Sequence, residues 1–341
     1  MVRVLNSDKI QFDEWKKLFE AAARFKETEC WKWISDIDII GVENIDTHEI
    51  GYCCVMGNAE QVFGISIYIG EEGLKSYIDT VYPNIPLEDL GYIQNCTTLY
   101  FEDREKLNRD DLNIIKQLGL KYRGKKQWPQ FRNYKPNYFP AQLSKSEVIY
   151  MTYALDQVIN VALRCREDEA LLNPEDEDQV LVRVSKKVKG ELAWEDKYIS
   201  LNMEESNSEY EKVNEIALKR IKDSKPRKTG VWEVDFFNAP ALVRESGRPY
   251  YPLMFMIAEA ESGLMLGMKM TSDFEGYIGE FRDEIINLIA SNKQIPEVIV
   301  VQRKKVFQML APIASKLGVD LHPVEELYGI KEFRKGLEEF L

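Results

Sequence analysis

The sequence predicts an α+β protein of two domains with a connecting segment between them. Three observations carry this reading. The chain has 341 residues, a length that suits about two domains. In its first half, one amphipathic helical stripe is followed by several short strand-like runs separated by turn residues. In its last third the order of apolar runs is β-β-β-α-β-α-β-α, which implies three antiparallel strands followed by parallel strands joined through helices, a mixed sheet covered by helices. The resulting division is an N-terminal domain of antiparallel sheet plus helices over 1–165, a connecting strand-strand-helix segment over 166–229, and a C-terminal domain over 230–341.

The elements follow in order. Phe12, Trp15, Leu18, Phe19, Ala22 and Phe25 recur at helical spacing, so 12–26 reads as an amphipathic helix. Strands are expected at Asp38–Val42, Gly51–Met56 and Val62–Ile69, separated by turns at Asn44–His48 and Gly57–Glu60. A helix at Glu72–Val81, a strand at Thr97–Phe101 and a helix at Arg109–Leu118 come next. Residues 119–142 read as a long loop, holding three prolines and six aromatics, and a loop of that length in a compact domain is usually functional. Ser144 with Glu147 three residues on is a capping-box pattern that opens a helix to about Cys165.

Residues 166–178 are an acidic surface connection. Val180–Val184 and Trp194–Leu201 read as paired strands and Glu209–Ile221 as a helix. The stretch 222–230, KDSKPRKTG, is the best linker candidate, with Pro, Gly and no apolar residue. Strands follow at Val231–Phe237, Tyr251–Glu259 and Leu264–Met270, then a helix at Glu280–Ala290 and an apolar strand at Glu297–Val301. A helix at Val306–Leu317 is ended by Gly318. Val319–Val324 is the last strand and Ile330–Leu341 the terminal helix.

Composition excludes several classes. With 45% hydrophobic and 30% charged residues the chain is an ordinary globular one. It has no apolar run long enough to span a bilayer and no signal-peptide pattern at its start, so contact with a membrane is not expected and a cytoplasmic location is. Five scattered cysteines (Cys30, Cys53, Cys54, Cys96 and Cys165) with no CxxC pair argue against a disulfide framework or a zinc site. Adjacent Cys53 and Cys54 on a strand point to opposite faces and read as small buried apolar residues. Nucleotide loops of the GxGxxG or GxxxxGK[ST] type are absent. The two histidines, His48 in a turn and His322 in an apolar strand, read as structural, and no cofactor is expected.

One charge segment stands apart. The net charge is −12, yet between Asp111 and Glu147 no acidic residue occurs. Those positions hold Lys116, Lys121, Arg123, Lys125, Lys126, Arg132, Lys135 and Lys145, a local +8 that leaves the remainder at −20. Tyr122, Trp128, Phe131, Tyr134, Tyr138 and Phe139 lie among them. Cations neutralise phosphates and aromatic faces stack on unpaired bases, so Lys121, Arg123, Lys125, Lys126, Trp128, Arg132, Tyr134 and Lys135 are the candidate ligand-binding residues. The partner they suit is single-stranded nucleic acid or an acidic protein. The competing reading is intramolecular, with the aromatics on the core and the cations on the acidic remainder.

The last third carries a second candidate. In WEVDFF at 232–237, Asp235 sits in mid-strand, and MFMIAEAESGLMLGMKM at 254–270 reads as a hairpin. This order resembles the ribonuclease H-like core of ribonuclease H, retroviral integrases and many transposases. The resemblance implies a two-metal nuclease with Mg²⁺ held by a carboxylate on the first strand, one after the fourth strand and one on a late helix, because the ions must bridge attacking and leaving oxygens at phosphorus. Asp235 matches the first position. The fourth strand ends in Val301-Gln302-Arg303-Lys304-Lys305, an amide and three cations where the pattern has an acid. Glu259 and Glu332 are the remaining candidate ligands.

The phrases IGYCCVMG, IYIGEEGL and WPQFRNYKPNYFP, with WEVDFF, GRPYYP and SGLMLG later, together resemble an uncharacterised bacterial protein family over about 12–165 and 231–341. That resemblance implies no activity and no site residues. The leading expectation is a non-enzymatic binding or adaptor protein that uses 116–145. The alternative is a divergent nuclease that uses Asp235.

Overall fold

The structure is a computed structural model that describes residues 10–83, 85–173, 178–188, 191–201 and 213–340. Parts of the acidic connection, the first residues of the helix expected at Glu209–Ile221, and the C-terminal Leu341 lie outside the described residues. The chain divides into two compact units. One comprises Met1–Val81, Gln94–Lys135 and Pro140–Met203, the other Tyr82–Ile93, Pro136–Phe139 and Glu204–Leu341.

The first unit opens with helix α1 (Phe12–Thr28), begun where the Glu14 carboxylate accepts the Gln11 N–H at 2.7 Å. Strands β1 (Ile40–Glu43), β2 (Ile50–Met56) and β3 (Gly64–Ile69) follow, then α2 (Gly70–Val81). After the short α3 (Leu90–Ile93), which belongs to the other unit, come β4 (Cys96–Glu102), α4 (Arg109–Gln117), β5 (Trp128–Tyr134) and α5 (Lys145–Cys165). Strands β6 (Gln179–Val188) and β7 (Glu191–Ser200) complete it. The sheet order is β5-β4-β3-β2-β1-β6-β7. Every pair is antiparallel except β1 with β6, where Gly41 faces Val182.

Alternation along the strands sorts two cores. Cys53, Val55, Ile65, Ile67, Leu99 and Phe131 meet Leu18, Phe25, Met151, Leu155 and Val158 of α1 and α5. Tyr52, Cys54, Tyr68, Cys96 and Val182 meet Leu74 and Tyr77 of α2. Cys53 and Cys54 therefore do point to opposite faces. The capping box of α5 forms as the sequence predicts, with Glu147 N–H donating to Ser144 Oγ at 3.3 Å and Ser144 N–H to Glu147 Oε2 at 2.7 Å.

Three expectations are corrected. The stretch 119–142 is not one loop, because β5 runs through it. Trp128–Tyr134 pairs antiparallel with β4, and β5 is an edge strand that tolerates the missing donor of Pro129. Residues 166–229 are not a separate connection: β6 extends the first sheet by pairing with β1, while α6 (Glu215–Asp223) packs Leu218 and Ile221 into the other unit's core. The candidate linker is tied down, since β8 (Arg227–Lys228) pairs with β12 (Gln294–Ile295) and Lys228 Nζ donates to the Gly318 carbonyl at 2.6 Å.

The second unit continues with β9 (Val231–Asn238), β10 (Leu253–Glu259), β11 (Met265–Thr271), α7 (Tyr277–Asn292), β13 (Val298–Val301), α8 (Lys304–Leu317), β14 (Asp320–Pro323) and α9 (Tyr328–Phe340). The sheet order is β11-β10-β9-β13-β14. The first three strands are antiparallel, whereas β9, β13 and β14 run parallel. Trp232, Val234 and Phe236 face the core built with α7 and α8. Phe237 faces the other side, where Leu327, Ile330 and Phe333 of α9 and its approach cover the sheet. The period of two then directs Glu233 and Asp235 toward that same side. The units share an α+β architecture.

Candidate functional site

Asp235 lies in the middle of β9, 1% exposed. Arg303 follows β13, the parallel neighbour of β9, and its Nε donates to Asp235 Oδ1 at 2.7 Å. The other end of that guanidinium, Nη2, donates to Asp89 Oδ2. Asp89 sits in a short 3₁₀ turn at Leu87–Asp89, part of the same unit. Arg334 of α9 completes the group, with Nη2 donating to Asp89 Oδ1 at 2.7 Å and Nη1 to Oδ2 at 3.2 Å. Its guanidinium lies 4.3 Å from the centroid of the Phe237 ring.

Two buried carboxylates are thus matched by two guanidiniums. Burial raises the Asp235 carboxyl above its ordinary range even though Arg303 pulls it down. Burial also acts to raise Asp89, but Arg303 and Arg334 outweigh it and hold that carboxyl low. For Arg303, burial is outweighed by Asp235 and Asp89, so its pKa stands above the ordinary one.

The other acids expected around Asp235 do not converge on it. Glu259 closes the turn after β10, accepting the Ser262 N–H at 2.7 Å and its Oγ–H at 2.6 Å. Glu332 is exposed on α9. Glu233, the near neighbour on β9, accepts the Ile330 N–H at 3.0 Å and so caps the start of α9. Among the described residues no three His, Cys, Asp or Glu side chains are grouped to hold a metal ion. What Asp235 does here is neutralise a buried arginine.

The residues of the basic stretch separate into inward and outward sets. Arg132 is buried, with Nη1 and Nη2 on the two oxygens of Asp111 at 2.8 and 2.6 Å. Lys126 Nζ donates to the carbonyls of Glu60 and Gln61 at 2.8 and 2.9 Å and lies 4.8 Å from the Phe63 centroid. Trp128 is half-buried, its ring 5.7 Å from Tyr122 and beneath the Arg104 guanidinium. Tyr134 packs on the α2-side core. Lys145 pairs with Glu14 at 3.2 Å. Tyr138 belongs to the second unit, against Phe274 and Tyr250 at 5.3 and 6.4 Å. Lys116, Lys121, Arg123, Lys125 and Lys135 are exposed. Lys116 is in the last turn of α4 and the next three stand along the passage from α4 to β5, and among the described residues none of those four is in a salt bridge.

The cysteines are buried and unpaired. Burial pushes the Cys30 and Cys54 thiols up to about 12 and Cys165 up to about 11, which leaves them protonated at neutral pH. His322, expected inside an apolar strand, is exposed because β14 is the sheet's edge. His48, at φ 60°, has Nδ1 3.1 Å from Glu43 Oε1, and Glu43 Oε2 accepts the Ser185 Oγ–H at 2.7 Å. A carboxylate rather than an imidazole receives that hydroxyl, so the trio lacks the base a nucleophilic serine needs.

Sequence reasoning singles out Arg303 by its position at the end of a strand but misses Asp89 and Arg334, whose partners lie far away in the chain. Two domains of unknown function cover the N- and C-terminal parts of the chain: residues 15–183 match DUF7309 and residues 217–338 match DUF6930. Among curated proteins none matches the chain. No helix among the described residues is long and apolar enough to cross a membrane.

Proposed function

We propose that this chain is a cytoplasmic, non-enzymatic binding protein that contacts an acidic protein partner through Lys116, Lys121, Arg123 and Lys125. The observation that carries the reading is the division of the basic stretch. Four of its five exposed cations, Lys116, Lys121, Arg123 and Lys125, stand without a salt bridge among the described residues, in a run free of acids on a chain of net charge −12, while its aromatics other than the exposed Phe139 are engaged in packing. Surface cations of this kind steer an acidic partner and set its orientation. Base stacking needs open aromatic faces, and Trp128, Tyr122, Tyr134 and Tyr138 have theirs against neighbours, so single-stranded nucleic acid is the second reading.

The order β-β-β-α-β-α-β-α with sheet order β11-β10-β9-β13-β14 supports a ribonuclease H-like core for the second unit. A nuclease that uses Asp235 is disfavoured, because Arg303 occupies the carboxylate that would hold the metal.

Fluorescent poly-glutamate, single-stranded and duplex DNA and RNA would be titrated at low and moderate salt with Mg²⁺ present, and the nucleic acids then run on a denaturing gel. The expected result is salt-sensitive binding of poly-glutamate that is lost in the triple variant Lys121→Glu, Arg123→Glu, Lys125→Glu. Nucleic-acid binding of equal strength with the same loss would favour the second reading. Cleavage that disappears in Asp235→Asn would overturn both.

A further inference from the structure

Two arginines of the second unit grip a single carboxylate. Arg303 reaches Asp89 Oδ2 through Nη2, and Arg334 reaches Oδ1 at 2.7 Å and Oδ2 at 3.2 Å. Glu88 Oε1 stands 4.0 Å from Arg334 Nη1. Each guanidinium has an orienting group that does not come from the Asp89 segment. Asp235 holds Arg303 by its Nε, which leaves an Nη edge for a second anion, and the Phe237 ring carries Arg334. Paired planar donors held in this way recognise carboxylate and phosphate oxygens bidentately.

The occupant arrives on a segment remote in sequence. Residues 85–93 run between α2 and β4, whose own residues belong to the first unit, and they are held to the second unit at two further points. The Tyr92 ring lies 4.9 Å from Tyr251, and the Tyr92 carbonyl accepts the Asn137 N–H at 2.8 Å. Beside the segment is a cleft of about 640 Å³ in which Pro86 and Leu87 line one part and Arg303, Lys304 and Phe307 another. Of the four residues of the group, Arg303 lines it.

We propose that Arg303 and Arg334 form a binding site for a tetrahedral oxyanion, a phosphate or sulfate group, and that Asp89 is its built-in occupant, which makes residues 85–93 a strap closed over the site. The strap's carboxylate supplies the charge that the ligand would supply. Arg303 and Arg334 keep their orienting partners when Asp89 is removed, so the empty site retains its shape and its charge.

The test is anion rescue in the full chain. Asp89→Ala is expected to lower the thermal midpoint of the second unit by about 5–10 °C, the scale of a broken buried ion pair. Inorganic phosphate at about ten times its dissociation constant then restores roughly 3 °C, while chloride at equal ionic strength restores none. The rescue is absent in Asp89→Ala with Arg334→Leu, and the wild type is unmoved by the same phosphate, its site being filled. Phosphoserine runs as a separate arm: stronger rescue than by inorganic phosphate assigns the site to an organic phosphate that enters by the cleft, and weaker rescue assigns it to the free ion. Equal rescue by chloride, an equal rise in the wild type, or no rescue by any oxyanion overturns the proposal. If Asp89→Ala does not fold, Asp89→Asn serves in its place, with faster amide exchange over 85–93 that oxyanions leave unchanged counting against the site.

Discussion

A guanidinium and a divalent cation compete for the same carboxylate oxygens, and at Asp235 the guanidinium of Arg303 is the group in contact. The consequence for stability can be worked out from the two acids it bridges. Asp89 is held low, so its contribution is present above the unfolded carboxyl value of about 3.9 and is lost as pH falls through its depressed folded value. Asp235 is raised, so its contribution is full below about 3.9 and is lost as pH rises through its folded value. Arg303→Met leaves Asp235 buried with no partner and raises its pKa further. The variant is expected to lose about 3–5 kcal/mol at pH 7 and to recover part of that loss toward pH 5 as Asp235 takes up a proton. Urea unfolding at the two pH values checks this, and a loss of the same size at both would contradict it. Arg132 offers the contrast with the surface cations. Arg132→Met removes the counter-ion of the buried Asp111 carboxylate, which keeps only the hydrogen bonds from the Asn108 N–H and Gln142 Nε2, and should also cost about 3–5 kcal/mol, whereas the reversals at Lys121, Arg123 and Lys125 should change binding with the midpoint left within about 0.5 kcal/mol of the wild type. Of these residues, Arg303 is legible in the sequence because three cations end a strand where the resembling pattern has an acid. Arg132 is not, since nothing local distinguishes a buried arginine from the exposed ones around it.

At the scale of elements, the signals that are local in sequence translate well. The capping box at Ser144 and Glu147 sets where α5 begins, and Ser144→Ala should cost about 1 kcal/mol in chemical denaturation. The alternation through GYCCVM places Cys53 and Cys54 in separate cores. What a local reading cannot supply is pairing between distant segments. Strand β5 holds a proline and three polar side chains, Gln130, Arg132 and Asn133, and looks like a loop until its edge position is known, and the parallel pairing of β6 with β1 depends on a partner well over a hundred residues upstream. Gly51 is another case where a neighbour distant in sequence sets the requirement. A Cβ there would stand 1.9 Å from Tyr150 Oη and 2.7 Å from Ile67 Cγ2, and that hydroxyl donates to the Val42 carbonyl at 2.8 Å. Gly51→Ala is therefore expected to destabilise the first unit by about 1–3 kcal/mol through overpacking. In the double variant with Tyr150→Phe the losses should sum to less than the two single ones, because the clashing hydroxyl is already gone. Strict additivity in a double-mutant cycle would show that the strain lies elsewhere.

For the molecule as a whole, the order of elements in the last third is legible in the sequence and the composition of the second unit is not. That unit takes in Tyr82–Ile93 and Pro136–Phe139 from the first half of the chain. No periodicity marks these short pieces as belonging to a sheet that starts at residue 231, and the match to DUF6930 begins only at residue 217. Their physical contribution is nonetheless large. Asp89 supplies one of the two carboxylates for Arg303 and Arg334, a loss of about 3–5 kcal/mol when one side of such a group is removed. Tyr92 on Tyr251 and Tyr138 on Phe274 are edge-to-face ring pairs, worth about 0.5–1.5 kcal/mol each. Asn137 adds its N–H to the Tyr92 carbonyl at 2.8 Å and its carbonyl to the Tyr251 N–H at 2.7 Å. Set against a domain stability of about 5–15 kcal/mol, these losses together are enough to leave the remainder marginal. A fragment of residues 204–341 is therefore expected to show a weak near-ultraviolet circular dichroism signal and a broad thermal transition, while the full chain melts cooperatively. A sharp transition of the fragment at the midpoint the second unit has in the full chain would mean that the apolar core of β9, β10, α7 and α8 suffices alone. The two borrowed segments would then be attachments to the domain rather than parts of it.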